Sequence, residues 1–297
     1  MKLNIISLTK TSAGKKDLPA QFSEEIRPDL IKRAVEAIQA NSRQPYGAKV
    51  GAGMRYSSKI SRRRRDYKGS YGQGISRVPR KILSHKGTRF NWVAAFAPGT
   101  VGGRRSHPPK AEKVLEKKIN EKERRKAIRS ALAATMIKGF AERRGHIAPQ
   151  EYPFIIENKL ETLTKTSDAV RVLDALGFGE ELARSAIPKK RAGKGKRRGR
   201  RTSQRKGPLI VVSKPCALMA SAANIPGIEI VVIDRINADL LAPGADIGRL
   251  TIYTEAAIDR LANEHLFTDN VITSKEKTLQ VQEKESQKPS EKIAVKI

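Results

Sequence analysis

Apolar residues fall into short runs and spaced stripes, and the two kinds alternate along much of the chain. LNIISL (3–8), FIIE (154–157), LIVV (209–212), EIVVID (229–234) and LTIYT (250–254) are brief and rich in β-branched residues. That is the pattern of strands buried on both faces. Between them, apolar positions recur every three or four residues. DLIKRAVEAIQAN (29–41) places Leu30, Ile31, Ala34, Val35 and Ile38 on one helical face. A helix pair is predicted over AEKVLEKKI (111–119) and on to Gly145, with Ile128, Ala131, Leu132, Met136 and Phe140 as the stripe of the second. Gly145 supplies its stop, and Asn120 with Glu123 has the spacing of a capping box. Further helical segments are predicted near 168–176, 215–223 and 238–241, and from the last strand to about Leu266. Strands separated by helices predict an α/β fold, a parallel sheet of about five strands with helices on both faces.

Two stretches break the pattern. Residues 43–110 hold ten glycines and five prolines and no sustained apolar period. A shorter interruption, IPKKRAGKGKRRGRRTSQRKGP (187–208), stands between a helix and a strand. The chain therefore reads as one globular domain in two parts, 1–42 and 111–270, with a basic insertion over 188–207 in the second. A long, extended, non-globular internal arm over 43–110 separates the parts. Residues 271–297 are polar, mixed in charge and aperiodic, and read as disordered or draped over a partner.

Charge sharpens this division. Sixty Lys and Arg stand against thirty Asp and Glu, a net +30. From Arg43 to Lys110 there are 17 basic residues and one acid, Asp66; from Lys189 to Lys206 there are 11 and none. These two segments hold +27 of the surplus, and the rest of the chain is nearly balanced. A near-neutral body with two basic insertions needs a polyanion close by. The lone Cys216 rules out an internal disulfide and fits a reducing compartment. No apolar run approaches the roughly 20 residues of a membrane span, and MKLNIISLTK does not read as a signal peptide. A cytoplasmic chain with no membrane partner is expected.

Solvated loops are aromatic-poor, yet seven of the fourteen aromatics lie in 43–110: Tyr46, Tyr56, Tyr67, Tyr71, Phe90, Trp92 and Phe96. Aromatics interleaved with arginine and glycine suit stacking on bases, with guanidinium groups on phosphates. Folded out and back, about 34 residues each way reach at most roughly 110 Å, a length suited to threading a large folded RNA. The expected RNA contacts in the arm are Arg43, Tyr46, Lys49, Arg55, Arg62, Arg63, Arg64, Arg65, Tyr67, Lys68, Arg77, Arg80, Lys81, Lys86, Arg89, Trp92, Arg104 and Arg105. In the second insertion, read as an anchored phosphate-binding loop, they are Lys189, Lys190, Arg191, Lys196, Arg197, Arg198, Arg200 and Arg201.

Signs of catalysis are weak. SAGKKD (12–17) resembles the end of a phosphate-binding loop, but Lys16 stands where Ser or Thr is needed and no glycine lies five positions before Gly14. The glycine spacings of 97–105 and 192–199 fail as well. His85, His107, His146 and His265 have no metal-site spacing, so no metal or other cofactor is expected. Cys216, without a histidine partner, reads as a small core residue. Asp234, closing EIVVID, stands where an α/β enzyme carries a functional carboxylate, though a strand-end acid explains it as well. The alternatives to a structural RNA-binding protein are an RNA-modifying or RNA-processing enzyme with a basic lid, and a generic polyanion binder. Loss of function on Asp234→Ala with RNA binding intact marks the first, and equal affinity for duplex DNA the second.

NEKERRKAIRSALAAT (120–135) followed by RGH (144–146) resembles the signature of a known family, with Met136 where that pattern carries a small residue. NSRQPYGAK (41–49), GQGISRVPRK (72–81), FAPGTVGGRRSHPPK (96–110) and EIVVIDRINADLLAPGAD (229–246) are similar to the family too. The family is the archaeal and eukaryotic form of the fourth protein of the large ribosomal subunit, and the resemblance covers about residues 3–265. It implies an α/β domain on the solvent side of the subunit, without enzymatic activity. It further implies partnership with large-subunit rRNA and neighbouring ribosomal proteins, and an arm that penetrates the rRNA to the wall of the peptide exit tunnel. The arm matches 43–110 and its tip about Arg55–Arg77. Tyr71, Gly72, Gln73 and Gly74, with Arg77, resemble the tunnel-lining turn, where the nascent peptide is a further partner.

Overall fold

The computed structural model describes residues 1–55, 58, 60–66, 69–87, 89–95 and 100–269. In chain order its strands are β1 (Lys2–Ile6), β2 (Ser12–Asp17), β3 (Arg80–Lys86), β4 (Arg89–Ala94), β5 (Ile155–Ile156), β6 (Lys189–Lys190), β7 (Thr202–Ser203), β8 (Leu209–Val212), β9 (Glu229–Val232) and β10 (Thr251–Thr254). Its α-helices are α1 (Pro28–Asn41), α2 (Glu121–Thr135), α3 (Lys138–Arg143), α4 (Thr166–Leu173), α5 (Gly179–Ala186), α6 (Ala217–Ser221), α7 (Ala238–Leu241) and α8 (Glu255–Asn263). The chain divides into two compact units, one of Met1–Ala40 with the chain from Lys117 onward, the other Asn41–Glu116.

The first unit is built on a six-stranded sheet in the order β2-β1-β5-β10-β8-β9. Five strands run parallel, with Ile5 opposite Ile155, Ile155 opposite Tyr253, Ile252 opposite Ile210, and Ile210 opposite Ile230. Side chains alternate across the sheet, and both faces are apolar. Leu209 and Val211 join α1, α2, α7 and α8 in one core through Ile31, Val35, Leu132, Leu241 and Leu261. Ile210 and Val212 face the other core, with Phe154, Leu173, Phe178 and Leu218. This double burial is why the strands read as unbroken apolar runs.

The sixth strand departs from expectation. SAGKKD is an edge strand, antiparallel to β1, with Lys2 opposite Asp17. It is almost wholly exposed, so it carries no apolar alternation. The Lys16 ammonium lies 2.6 Å from Asp259 and 3.3 Å from Glu255 on α8.

Four helical expectations also change. AEKVLEKKI is irregular, and Val114 is 80% exposed; only its last residue, Ile119, packs against the core. The Asn120 side chain caps nothing, and Glu123 pairs with Arg33 at 3.2 Å instead of reaching back. The helix expected to run to Gly145 breaks after α2, and α3 then ends with Gly145 N–H on the Glu142 carbonyl and His146 N–H on that of Ala141. Near 168–176 there are two helices, α4 and α5, joined by a π turn, Asp174–Phe178, in which Gly177 takes φ +90°.

In the second unit, β3 and β4 form an antiparallel hairpin with Ser84 opposite Asn91 and Lys86 opposite Arg89. The sequence shows no period here because the hairpin covers no core: Leu83 is 63% exposed. The ends of the unit meet where Ala48 N–H donates to the Pro109 carbonyl at 2.9 Å. Farther along, a Cβ on Gly53 would lie 2.7 Å from the Arg104 backbone, so glycine permits the close approach of the two segments.

Candidate nucleic-acid interface

Most of the described basic residues of the second unit are displayed outward. Arg43, Lys49, Arg55, Arg62, Arg63, Arg64, Arg65, Arg77, Lys86, Arg89, Arg104 and Arg105 are all exposed, and Arg80 and Lys81 are half-buried. The four consecutive arginines occupy a small loop. A bridge between Ser61 and Gly69 closes it, Gly69 N–H donates to the Asp66 carbonyl, and the Ser61 hydroxyl donates to the Asp66 carboxylate. The segment's one acid thus shapes the loop that presents Arg62–Arg65.

Among the described residues, arginine and aromatic side chains pair three times. The guanidinium carbon lies 6.0 Å from the ring centroid for Arg43 over Tyr46, 4.3 Å for Arg77 over Tyr71, and 5.5 Å for Arg80 over Trp92. Arg80 also donates to the Ser76 carbonyl at 2.9 Å. Such pairs offer a flat cationic surface, the geometry on which nucleobases stack. Between Tyr71 and Arg77, residues 71–74 form a turn with Gly72 and Gly74 at φ +75° and +67°, leaving Gln73 exposed. Tyr46, Arg105, His107, Lys110 and Lys113 line one cleft. His107, Lys110 and Lys113 were not among the expected contacts; the two lysines showed only their charge, and His107 no chemical signal of its own. Tyr56, Tyr67, Lys68 and Phe96 lie outside the described residues.

In the first unit, the second basic segment is a short hairpin. Lys189 pairs with Ser203 and Lys190 with Thr202, and a 3-10 turn, Lys194–Arg198, sits at its head. Lys189, Lys190, Arg191, Lys196, Arg197, Arg198, Arg200 and Arg201 are exposed. Lys206 is engaged by the Glu229 carboxylate, so this cation belongs to the fold.

At the carboxyl ends of the parallel strands, where α/β enzymes bind ligands, the acidic side chains are taken up by the protein's own groups. Glu161 accepts from the Ser213 N–H and hydroxyl, both at 2.8 Å, and from the Thr254 hydroxyl at 2.6 Å. Asp234 lies 3.5 Å from Arg260, which also meets Glu264 at 2.7 Å. Burial pushes the Cys216 thiol up, so it stays protonated. Among the described residues, no group of three His, Cys, Asp or Glu could hold a metal, and no helix is long and apolar enough to cross a membrane.

Sequence reasoning missed a buried cluster behind the basic hairpin. The Glu181 carboxylate, fully buried, accepts from His146 Nδ1 at 2.7 Å, Ile147 N–H at 3.0 Å, and Arg184 Nε and Nη2 at 2.7 Å each. Burial alone would raise its pKa; the hydrogen bonds from Arg184, His146 and Ile147 outweigh that and hold it at about 2. Burial pushes His146 below its ordinary value, against the pull of Glu181. The imidazole is therefore neutral and donates its Nδ1 proton, since a carboxylate can only accept.

Comparison with known proteins places the whole arrangement. The model of the ribosomal protein L4/L1 family matches residues 16–264. The chain is similar to the large ribosomal subunit protein uL4 of Nanoarchaeum equitans, 48% identical over 90% of this chain and 100% of that protein. It is 44% identical to that of Methanothrix thermoacetophila, over 87% of this chain and 97% of the relative. For Archaeoglobus fulgidus the identity is 40%, over 88% and 98%. The chain belongs to the ribosomal protein L4/L1 family.

Proposed function

We propose that this chain, a structural component of the large ribosomal subunit and not an enzyme, binds large-subunit rRNA through both basic segments. The observation that carries this is the segregation of charge: 27 of the 30 surplus positive charges lie in 43–110 and 189–206, and their described arginines are exposed except for the half-buried Arg80. Phosphate neutralisation supplies the affinity, and the arginine–aromatic pairs supply surfaces for unstacked bases.

The arm runs over 43–110, out along 47–54 and back along 103–111, threads the rRNA, and presents the turn Tyr71–Gly74 to the wall of the exit tunnel. The nascent peptide passes that turn, and neighbouring large-subunit proteins contact the arm and the sheet domain. Residues 271–297, expected to be a tail, lie outside the described residues. The family resemblance supports the tunnel placement; Gly72, Gly74 and the exposed Gln73 fit a turn that approaches a passing chain closely.

The test is a salt titration. With Arg62–Arg65→Ala in the full chain, affinity for a large-subunit rRNA transcript falls. The slope of log K against log salt drops by about 2 to 4, near 0.7 to 0.9 per phosphate released. An unchanged affinity and slope overturn RNA contact at this loop.

A further inference from the structure

The basic hairpin has few bonds of its own and no core to hold it. From Lys189 to Lys206 stand eleven cations and no acid; two residue pairs join its strands, Arg191 N–H reaches the Arg201 carbonyl and Arg200 N–H that of Gly195, both at 2.9 Å, and its turn buries nothing. Like charges at this density push it apart. Its direction is set where it joins the domain.

Both roots meet the end of one helix. The chain enters the hairpin directly from α5, which ends at Ala186. It leaves past the same helical turn: the Gln204 amide donates to the Ser185 carbonyl, and Arg184 Nη2 donates to the Lys206 carbonyl at 2.7 Å. The two protons of Nη2 are thereby divided, one to the hairpin root and one to Glu181 Oε1. Glu181 sits one turn earlier on the helix and is tied to His146 and Ile147, just beyond α3. A buried carboxylate with four donors fixes the guanidinium in a single pose.

We infer that Glu181 and Arg184 are positioning residues for RNA binding: Glu181 orients Arg184, Arg184 fixes the outgoing root of the hairpin, and the exposed cations are thereby aimed at rRNA as a rigid set. This rests on the reading of the hairpin as an rRNA contact. A purely structural pair would stabilise the domain without directing the hairpin.

Arg184→Lys separates the two roles. It keeps the charge and one bond to Glu181 but cannot serve both acceptors. In the full chain, hydrogen exchange at amides 189–206 rises while the β8 amides stay protected. Affinity for the rRNA transcript falls and the salt slope drops by about 1 to 2, although no hairpin cation has been removed. Gln204→Ala, whose side chain is exposed and lies outside the buried cluster, shifts both readouts the same way and carries the test if Arg184→Lys loosens β8. Arg197→Ala with Arg198→Ala serves as the reference. If the reference loses affinity while the Arg184 and Gln204 variants bind like the wild type, the inference falls alone. If the reference binds normally, the rRNA reading of the hairpin falls and takes the inference with it.

Discussion

The Arg77 guanidinium lies over the Tyr71 ring, 4.3 Å from its centroid, and spans a turn whose apex is Gln73. The pair bridges the two sides of the turn. It leaves the apex free to meet whatever passes.

That arrangement makes Gln73 a reporter. In a Cys216→Ser background, Gln73→Cys in purified large subunits reacts with a small maleimide. A stalled nascent chain in the tunnel slows the reaction at least severalfold. Equal rates with and without the nascent chain contradict the placement of this turn at the tunnel wall.

The buried cluster sets the acid limit of the domain. Glu181 has a folded pKa of about 2 against an ordinary 4.5. Its contribution, on the order of 3 kcal/mol, is therefore present above pH 4.5 and lost as pH falls toward 2. His146 is depressed from 6.5, so the unfolded chain takes up its proton first, and stability declines as pH drops below about 6.5. Both effects have the same sign. Urea midpoints are flat above pH 7 and fall through pH 5. His146→Asn, which keeps a donor near Nδ1, removes the loss between pH 7 and 5. A variant curve parallel to the wild type across that window contradicts a neutral buried imidazole.

Arg249 is fully buried, with Nη1 2.5 Å from Glu229 and 2.9 Å from the Leu240 carbonyl, and Nε 3.1 Å from that of Gly207. Removing only the carboxylate strands a buried charge. Glu229→Ala costs about 3 kcal/mol in urea unfolding, the low end of the range because Glu229 is partly exposed and screened. Adding Arg249→Met recovers part of that cost. A double variant less stable than Glu229→Ala alone contradicts this account.

What could be read from the sequence follows what each element buries. LIVV and the stripe of α2 are legible because both end in a core. SAGKKD and the β3–β4 hairpin are not, because an edge strand and a coreless hairpin impose no apolar period. AEKVLEKKI misled for the opposite reason, since it has helical spacing but brings only Ile119 to the core. The charge of the interface was plain from the sequence. Its support was not: Glu181 and Arg184 look like an ordinary i, i+3 surface pair, and only the fold brings His146, 35 residues away, onto the same carboxylate.

The central claim is that the basic segments bind within large-subunit rRNA. A sucrose gradient of cell lysate after a high-salt wash, probed for this chain, tests it most directly. The account predicts one copy per large subunit, retained through the wash because a threaded arm is held by geometry as well as charge. Release into the soluble fractions at high salt would contradict it and leave only a loose electrostatic association.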